Sequence, residues 1–147
     1  MADQRVLTVP GRFDQLARIS DFVTKAARDS GFGEDDVFHI QMAVDEACAN
    51  IVEHSYGPAR SGDILLVCLC GPIEDFQIEI MDQGLPFEPE SIPLPQVDSG
   101  NFDLDSLQVG GLGLYFMRKL MDEVSFDFDT RGNRLKMVKR RSQLRRP

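Results

Sequence analysis

The chain has 147 residues, of which 42% are apolar, 27% charged and 8% aromatic. That length suits one domain spanning residues 1–147, and the apolar share is too high for a disordered chain. The formal charge of -8, from 24 acidic and 16 basic side chains, argues against nucleic acid as the main partner, because a polyanion needs a basic face. No apolar run approaches the roughly 20 residues that cross a bilayer, so no membrane role is expected. MADQRVLTVP lacks the basic-then-apolar pattern of a secretory signal. Three cysteines without framework spacing predict reduced thiols and a cytoplasmic location.

Taken in chain order, Arg5 to Val9 reads as a short strand closed by Pro10-Gly11. From Asp14 to about Ser30, the residues Leu16, Ile19, Phe22, Val23, Ala26 and Ala27 recur at helical spacing. Gly31 and Gly33 stop that helix. Glu34-Asp35-Asp36 opens a second, longer helix with the charge its dipole favours. Its core face is Val37, Ile40, Val44, Ala47, Cys48 and Ile51, and Gly57-Pro58 ends it. Two strands follow, Ile64 to Cys70 and Phe76 to Met81, joined by a turn at Gly71-Pro72. The second alternates apolar and polar residues, as a half-buried strand does. Residues 83 to 110 are rich in Gly, Pro, Ser and Asp, a length of connection that is usually functional. A third helix runs from about Gly113 to Asp122, with Leu112, Leu114, Phe116, Leu120 and Met121 as core candidates. Val124 to Asp129 and Arg134 to Lys139 close the chain as two alternating strands. There is no internal repeat and no low-complexity tract. Segregated helices and an antiparallel-leaning sheet predict an α+β two-layer sandwich.

The charges are unevenly placed. Every charged side chain between Arg60 and Arg118 is acidic, whereas Lys136, Lys139, Arg140, Arg141, Arg145 and Arg146 make the last dozen residues basic. The basic tail reads as a solvated, fraying end. Phosphate binding in the acidic middle would need a metal ion and backbone amides in place of a lysine. Three features of the chain can carry chemistry. Glu46, Asn50 and Glu53 recur at spacings of four and three on the second helix, away from its apolar stripe. Acid, amide and acid in a row suit a divalent cation held by oxygen, with one carboxylate free to act as a base; a solvated polar face has the same pattern. Asp82 ends a strand two residues before Gly84, where a ligand can approach bare backbone. Gly110-Gly111-Leu112-Gly113 leads into a helix, whose free N–H groups suit a phosphate. No lysine follows, which excludes a P-loop, and the preceding loop excludes a dinucleotide fingerprint. Cys68 and Cys70 share a strand face and read as packing rather than a metal site.

An E-x-x-x-N helix, a D-x-G at a strand end and a G-x-G before a helix, in that order, resemble the GHKL ATPase superfamily. These are the Bergerat-fold, HATPase-like ATPases, and within them the chain is most similar to the stand-alone anti-sigma-factor serine kinases. The segments that carry the resemblance are AVDEACANIVEHSYG, IMDQGLPFEP and GGLGLYFMRKLMDEVSF, and it covers nearly the whole chain. The resemblance implies a sandwich of the Bergerat type with a mixed, mostly antiparallel sheet. It implies ATP and Mg2+ as cofactors, with Asn50 as the Mg2+ ligand and Glu46 as the general base toward a serine hydroxyl. Asp82 would accept from the adenine amino group, with Gly84 leaving room for the ring. Gly110, Gly111 and Gly113 would form the hinge and phosphate-facing edge of a lid spanning about Pro86 to Val109. Asp98, Asp103 and Asp105 would have to point away from the phosphates. The threonine that many relatives place near the start of the last strand is absent; the residues there are Asn133-Arg134-Leu135. His54 reads as a structural residue at the helix end rather than a base.

Two functions follow from the resemblance. The first is a serine/threonine-protein kinase and switch protein, which phosphorylates a STAS-domain anti-anti-sigma antagonist and sequesters a sigma factor or similar target. The second is an ATP-binding module that sequesters a partner without phosphorylating it. Relatives are often homodimers. The catalytic domain of a sensor histidine kinase fits less well, since no helix carries a phosphoacceptor histidine.

Overall fold

The expected N-terminal strand is β1, Asp3–Pro10, followed by a 3-10 turn, Phe13–Gln15, that runs into α1, Leu16–Asp29. The structure is a computed structural model that describes residues 3–57, 61–70, 75–86 and 111–141, with side chains in the last stretch from residue 113 onward. α1 buries Ile19, Val23, Ala26 and Ala27, the stripe that a 3.6-residue period predicts, while Leu16 and Phe22 pack at the core's edge. α2, Glu34–Asn50, opens on three acidic residues and buries Val37, Ile40, Val44, Ala47 and Cys48. At Ile51 the helix widens into a π-helix, Ile51–Tyr56, which ends at Gly57 with φ +64°. Wide turns of this kind are rare and concentrate at functional sites.

The remaining elements are β2 (Asp63–Cys70), β3 (Asp75–Asp82), α3 (Gly111–Leu120), β4 (Glu123–Asp129) and β5 (Gly132–Arg140). The strands form one sheet in the order β1-β2-β3-β5-β4. The predicted α+β two-layer architecture is present. The sheet is not mixed, however: among the described strands all four pairings are antiparallel. The reason lies in the connection through α3. β3 and β4 point the same way, but β5 inserts between them and runs against both.

One sheet face meets the helices. Ile64, Leu66, Cys68, Phe76, Ile78, Ile80 and Met137 are fully buried there with the α1 and α2 stripes. Leu65, Val67, Gln77 and Glu79 alternate onto the other face and stay half-buried. Cys48, Cys68 and Cys70 are buried free thiols, so the packing role expected of the strand pair holds, and burial pushes the Cys68 thiol up.

Two expectations need correction. Leu114 on α3 and Met121 just beyond it enter the core, but Phe116 is 43% exposed and Met117 is buried in its place. Spacings of three and four carry the apolar face through 114, 117 and 121, which leaves 116 on the far side. Leu120 is only half-buried. The basic tail is not simply solvated either. Lys139 is 6% exposed, and its Nζ donates to Leu120 O at 2.6 Å and lies 3.4 Å from His39 Nδ1. A cation on the last carbonyls of a helix satisfies them and favours the dipole. The Arg141 guanidinium stacks 4.4 Å from the Phe32 ring centroid and donates to Ser30 O and Gly31 O at 2.7 Å each. The turn at Gly71-Pro72, Gly110, Arg145, Arg146 and the lid from residue 87 to Val109, with its three aspartates, lie outside the described residues.

Candidate functional site

Asn50, at the end of α2, and Asp82, at the end of β3, line the same cavity. It lies between α2, α3 and the β3-β5-β4 part of the sheet. Ile51, Ile80, Met117 and Leu135 give it apolar walls, and Ser55, Asp82 and Asn133 add polar groups. A slot with apolar sides and a few placed polar atoms suits a flat heteroaromatic ring with a polar tail.

Asp82 is 4% exposed. Its Oδ1 accepts from the Gly84 N–H at 2.8 Å and from Asn133 Nδ2 at 3.0 Å. Both bonds fall on one oxygen, so among the described residues Oδ2 remains open to a donor. Burial pushes the Asp82 carboxyl up, and the bonds from Asn133 and Gly84 pull against that shift. Asn133 Nδ2 also donates to Leu85 O at 2.7 Å. One buried amide thus ties the start of β5 to the end of β3, at the position where the sequence lacks the expected threonine.

The π-helix holds the other side of the turn. Leu85 N donates to Ser55 O at 2.8 Å. The Tyr56 hydroxyl accepts from Gln83 N at 2.9 Å and donates to Asp63 O at 2.6 Å. Gln83 Nε2 donates to Arg131 O. Gly84 lies so close to this segment that a Cβ there would sit 2.4 Å from Ser55 O. The glycine of the D-x-G segment is therefore required by the backbone beside it.

Glu46 is half-buried on α2. A Cβ on Gly113 would lie 1.9 Å from its Oε1, so the first turn of α3 rests on the Glu46 carboxylate. Gly113 and Met117 are one turn apart on α3, and Met117 lines the cavity. The E-x-x-x-N, D-x-G and G-x-G segments therefore converge, with α3 running from Glu46 to the cavity wall. Gly111 is the first residue of α3. Burial raises the Glu46 carboxyl above the usual range, the Glu53 charge raises it further, and His54 opposes them. Neither acid of the expected row lines the Asn50 cavity: Glu53 lines a cleft with Arg12 and Gly57, and Glu46 a groove with Asp21 and Met42. The His54 side chain is 51% exposed and sits 3.7 Å from Glu53. Among the described residues no three His, Cys, Asp or Glu side chains gather to hold a metal.

A protein-family model described as a histidine kinase-like ATPase domain matches residues 9–139. A serine-protein kinase RsbW of Bacillus licheniformis is 33% identical over 134 residues, which cover 88% of this chain and 81% of that protein. The serine-protein kinase RsbW of Bacillus subtilis is 32% identical over 128 residues, covering 84% and 77%. Among solved structures, the RsbU and RsbW domains of a Mycobacterium tuberculosis protein superpose with a TM-score of 0.66 at 16% identity. That match covers 94% of this chain, which spans about a third, 32%, of the other. The histidine kinase domain of a blue-light activated histidine kinase from Erythrobacter litoralis gives a TM-score of 0.51 at 18% identity, covering 88% of this chain and 61% of that one.

Proposed function

The chain belongs to the histidine kinase-like ATPase domain family, and on that premise we propose that it is a protein-serine kinase. In this reading residues 1–147 form one ATP-binding domain. It transfers the γ-phosphoryl group of ATP to a serine of a STAS-domain antagonist and sequesters a sigma factor or similar target in the cytoplasm. The observation that carries the reading is the convergence of the three segments: Asn50 and Asp82 share a cavity, and α3 links that cavity to a carboxylate whose proton affinity burial has raised. Binding without chemistry would not need such a base. Among the described residues no helix is long and apolar enough to cross a membrane.

Asp82 Oδ2 takes the hydrogen bond from the adenine amino group while Asn133 holds Oδ1 in place. Ile51, Ile80, Met117 and Leu135 enclose the ring. Asn50 would hold Mg2+ by its side-chain oxygen; a single amide ligand suits an ion that keeps its waters and is bound mainly by phosphates. When bound there, the ion would supply charge neutralisation to a transfer that is chiefly a matter of positioning and electrostatics. The N–H groups at the start of α3, from Gly111 onward, face the phosphates without needing a lysine. Glu46 takes the proton from the serine Oγ as the Oγ–phosphorus bond forms and the bond to the ADP oxygen breaks. A base works best when its pKa approaches the working pH, and the upward shift at Glu46 moves it that way.

Incubation with labelled ATP, Mg2+ and candidate STAS-domain antagonists tests the reading. Glu46→Ala is expected to abolish transfer and keep nucleotide, and Asn50→Ala to weaken Mg-ATP binding. ATP binding with no transfer to any antagonist supports a sequestration module instead.

A further inference from the structure

The amide of Asn133 has only one orientation open to it. Nδ2 faces Asp82 Oδ1 at 3.0 Å and Leu85 O at 2.7 Å. A carboxylate and a carbonyl only accept, so the nitrogen, with its two N–H groups, must be the atom that meets them. A threonine, with a single O–H donor, could not serve both. The same Asp82 Oδ1 also accepts from the Gly84 N–H at 2.8 Å. Each oxygen of an ionised carboxylate offers about two lone-pair sites. Two donors therefore saturate Oδ1, and among the described residues Oδ2 alone is left for a ligand. The two purines ask different things of a carboxylate. Adenine presents one donor, its amino group, and a single oxygen satisfies it. Guanine presents N1–H and its 2-amino group side by side, a fork that matches both oxygens at once. Against Oδ2 alone, guanine leaves one donor unpaired in a cavity walled by Ile51, Ile80, Met117 and Leu135, where an unpaired polar group is costly.

We propose that Asn133 is a positioning residue that sets base selectivity: by closing Oδ1 it confines Asp82 to one open acceptor, which admits adenine and rejects guanine. The inference rests on the nucleotide-binding reading and adds to it the residue that excludes the second purine.

The test is calorimetric titration of the full chain with the Mg2+ complexes of ATP, GTP and ITP, whose base is guanine without the 2-amino group. It is run above neutral pH, to keep the Asp82 carboxyl, which burial pushes up, ionised. The wild-type chain is expected to bind ATP at least about tenfold more tightly than GTP, and GTP no more tightly than ITP, because the second donor gains nothing. Asn133→Leu keeps a side chain of similar size and removes both donors, which frees Oδ1. In that variant GTP is expected to exceed ITP by about tenfold, and the preference for ATP over GTP to shrink by about the same factor. Equal wild-type affinity for ATP and GTP, or a wild-type preference for GTP over ITP, overturns the proposal, and neither result depends on the variant folding. A folded Asn133→Leu that weakens all three nucleotides alike, as loss of a mere brace on β5 would, overturns it too. A chain that binds ATP without base preference sinks only the role of Asn133, whereas a chain that binds none of the three sinks the nucleotide reading itself.

Discussion

Gly113→Ala separates stability from catalysis at one position. The new methyl would sit 1.9 Å from Glu46 Oε1, about 1.5 Å inside the 3.4 Å at which ordinary contact begins. The atoms in its way are the carboxylate and Cγ of a flexible side chain, so Glu46 moves and the backbone stays. In α3, alanine is favoured over glycine by about 1 kcal/mol, and in a domain of this size that is worth roughly 2–4 °C in Tm. The fold should therefore hold its Tm or gain slightly. Transfer should collapse, because displacing a reacting group by about 1 Å costs on the order of 100-fold, or about 2.7 kcal/mol of barrier. The assay pairs thermal unfolding with single-turnover transfer from labelled ATP. A variant that transfers at the wild-type rate, or one that loses stability as a crushed core would, refutes the assignment of Gly113 as the seat of the Glu46 carboxylate.

Gly84→Ala should do the opposite, since its methyl would meet the Ser55 backbone at 2.4 Å and cannot be accommodated by a side-chain rotation. Overpacking of about 1–3 kcal/mol should lower Tm by roughly 3–10 °C, visible by calorimetry even without nucleotide. The transfer rate should fall on the acid side through a pKa above the usual glutamate range, because Glu46 serves only when deprotonated and burial with Glu53 raises its pKa. Glu53→Gln removes a neighbouring negative charge and should shift that acid limb to lower pH in a pH–rate profile. Lys139→Met strips the Leu120 carbonyl of its 2.6 Å donor and should destabilise the fold by about 1–3 kcal/mol, measured as a lower denaturant midpoint with an unchanged slope.

The helices were legible because burial writes itself into period: every α2 core residue named from its spacing is buried. That Asn50 and Asp82 share a cavity and that Gly113 meets Glu46 was legible only through resemblance, since no local pattern brings together residues 32 or 67 positions apart. The clasp that Asn133 makes on Asp82 has no sequence signature for a related reason. Its partner Asp82 is 51 residues away, and an asparagine at a strand start looks like ordinary turn chemistry. The π-helix Ile51–Tyr56 leaves no trace in apolar periodicity, so spacing alone reads this stretch as a regular helix. Lys139 and Arg141 read as solvated because a cation's partners here are backbone carbonyls on distant elements, and carbonyls carry no sequence signature.

The place of β5 between β3 and β4 has a consequence for how the protein is made. On the ribosome, Asp82 emerges 51 residues before Asn133, a lag of about 3–10 s at 5–20 residues per second. During that interval the nascent chain carries β3 with an open hydrogen-bonding edge and an aspartate without its amide clasp. The Asn50–Asp82 cavity is thus among the last parts of the molecule to come into being, and a polypeptide released before Gly132 would have its described helices but not the β5 wall of that cavity.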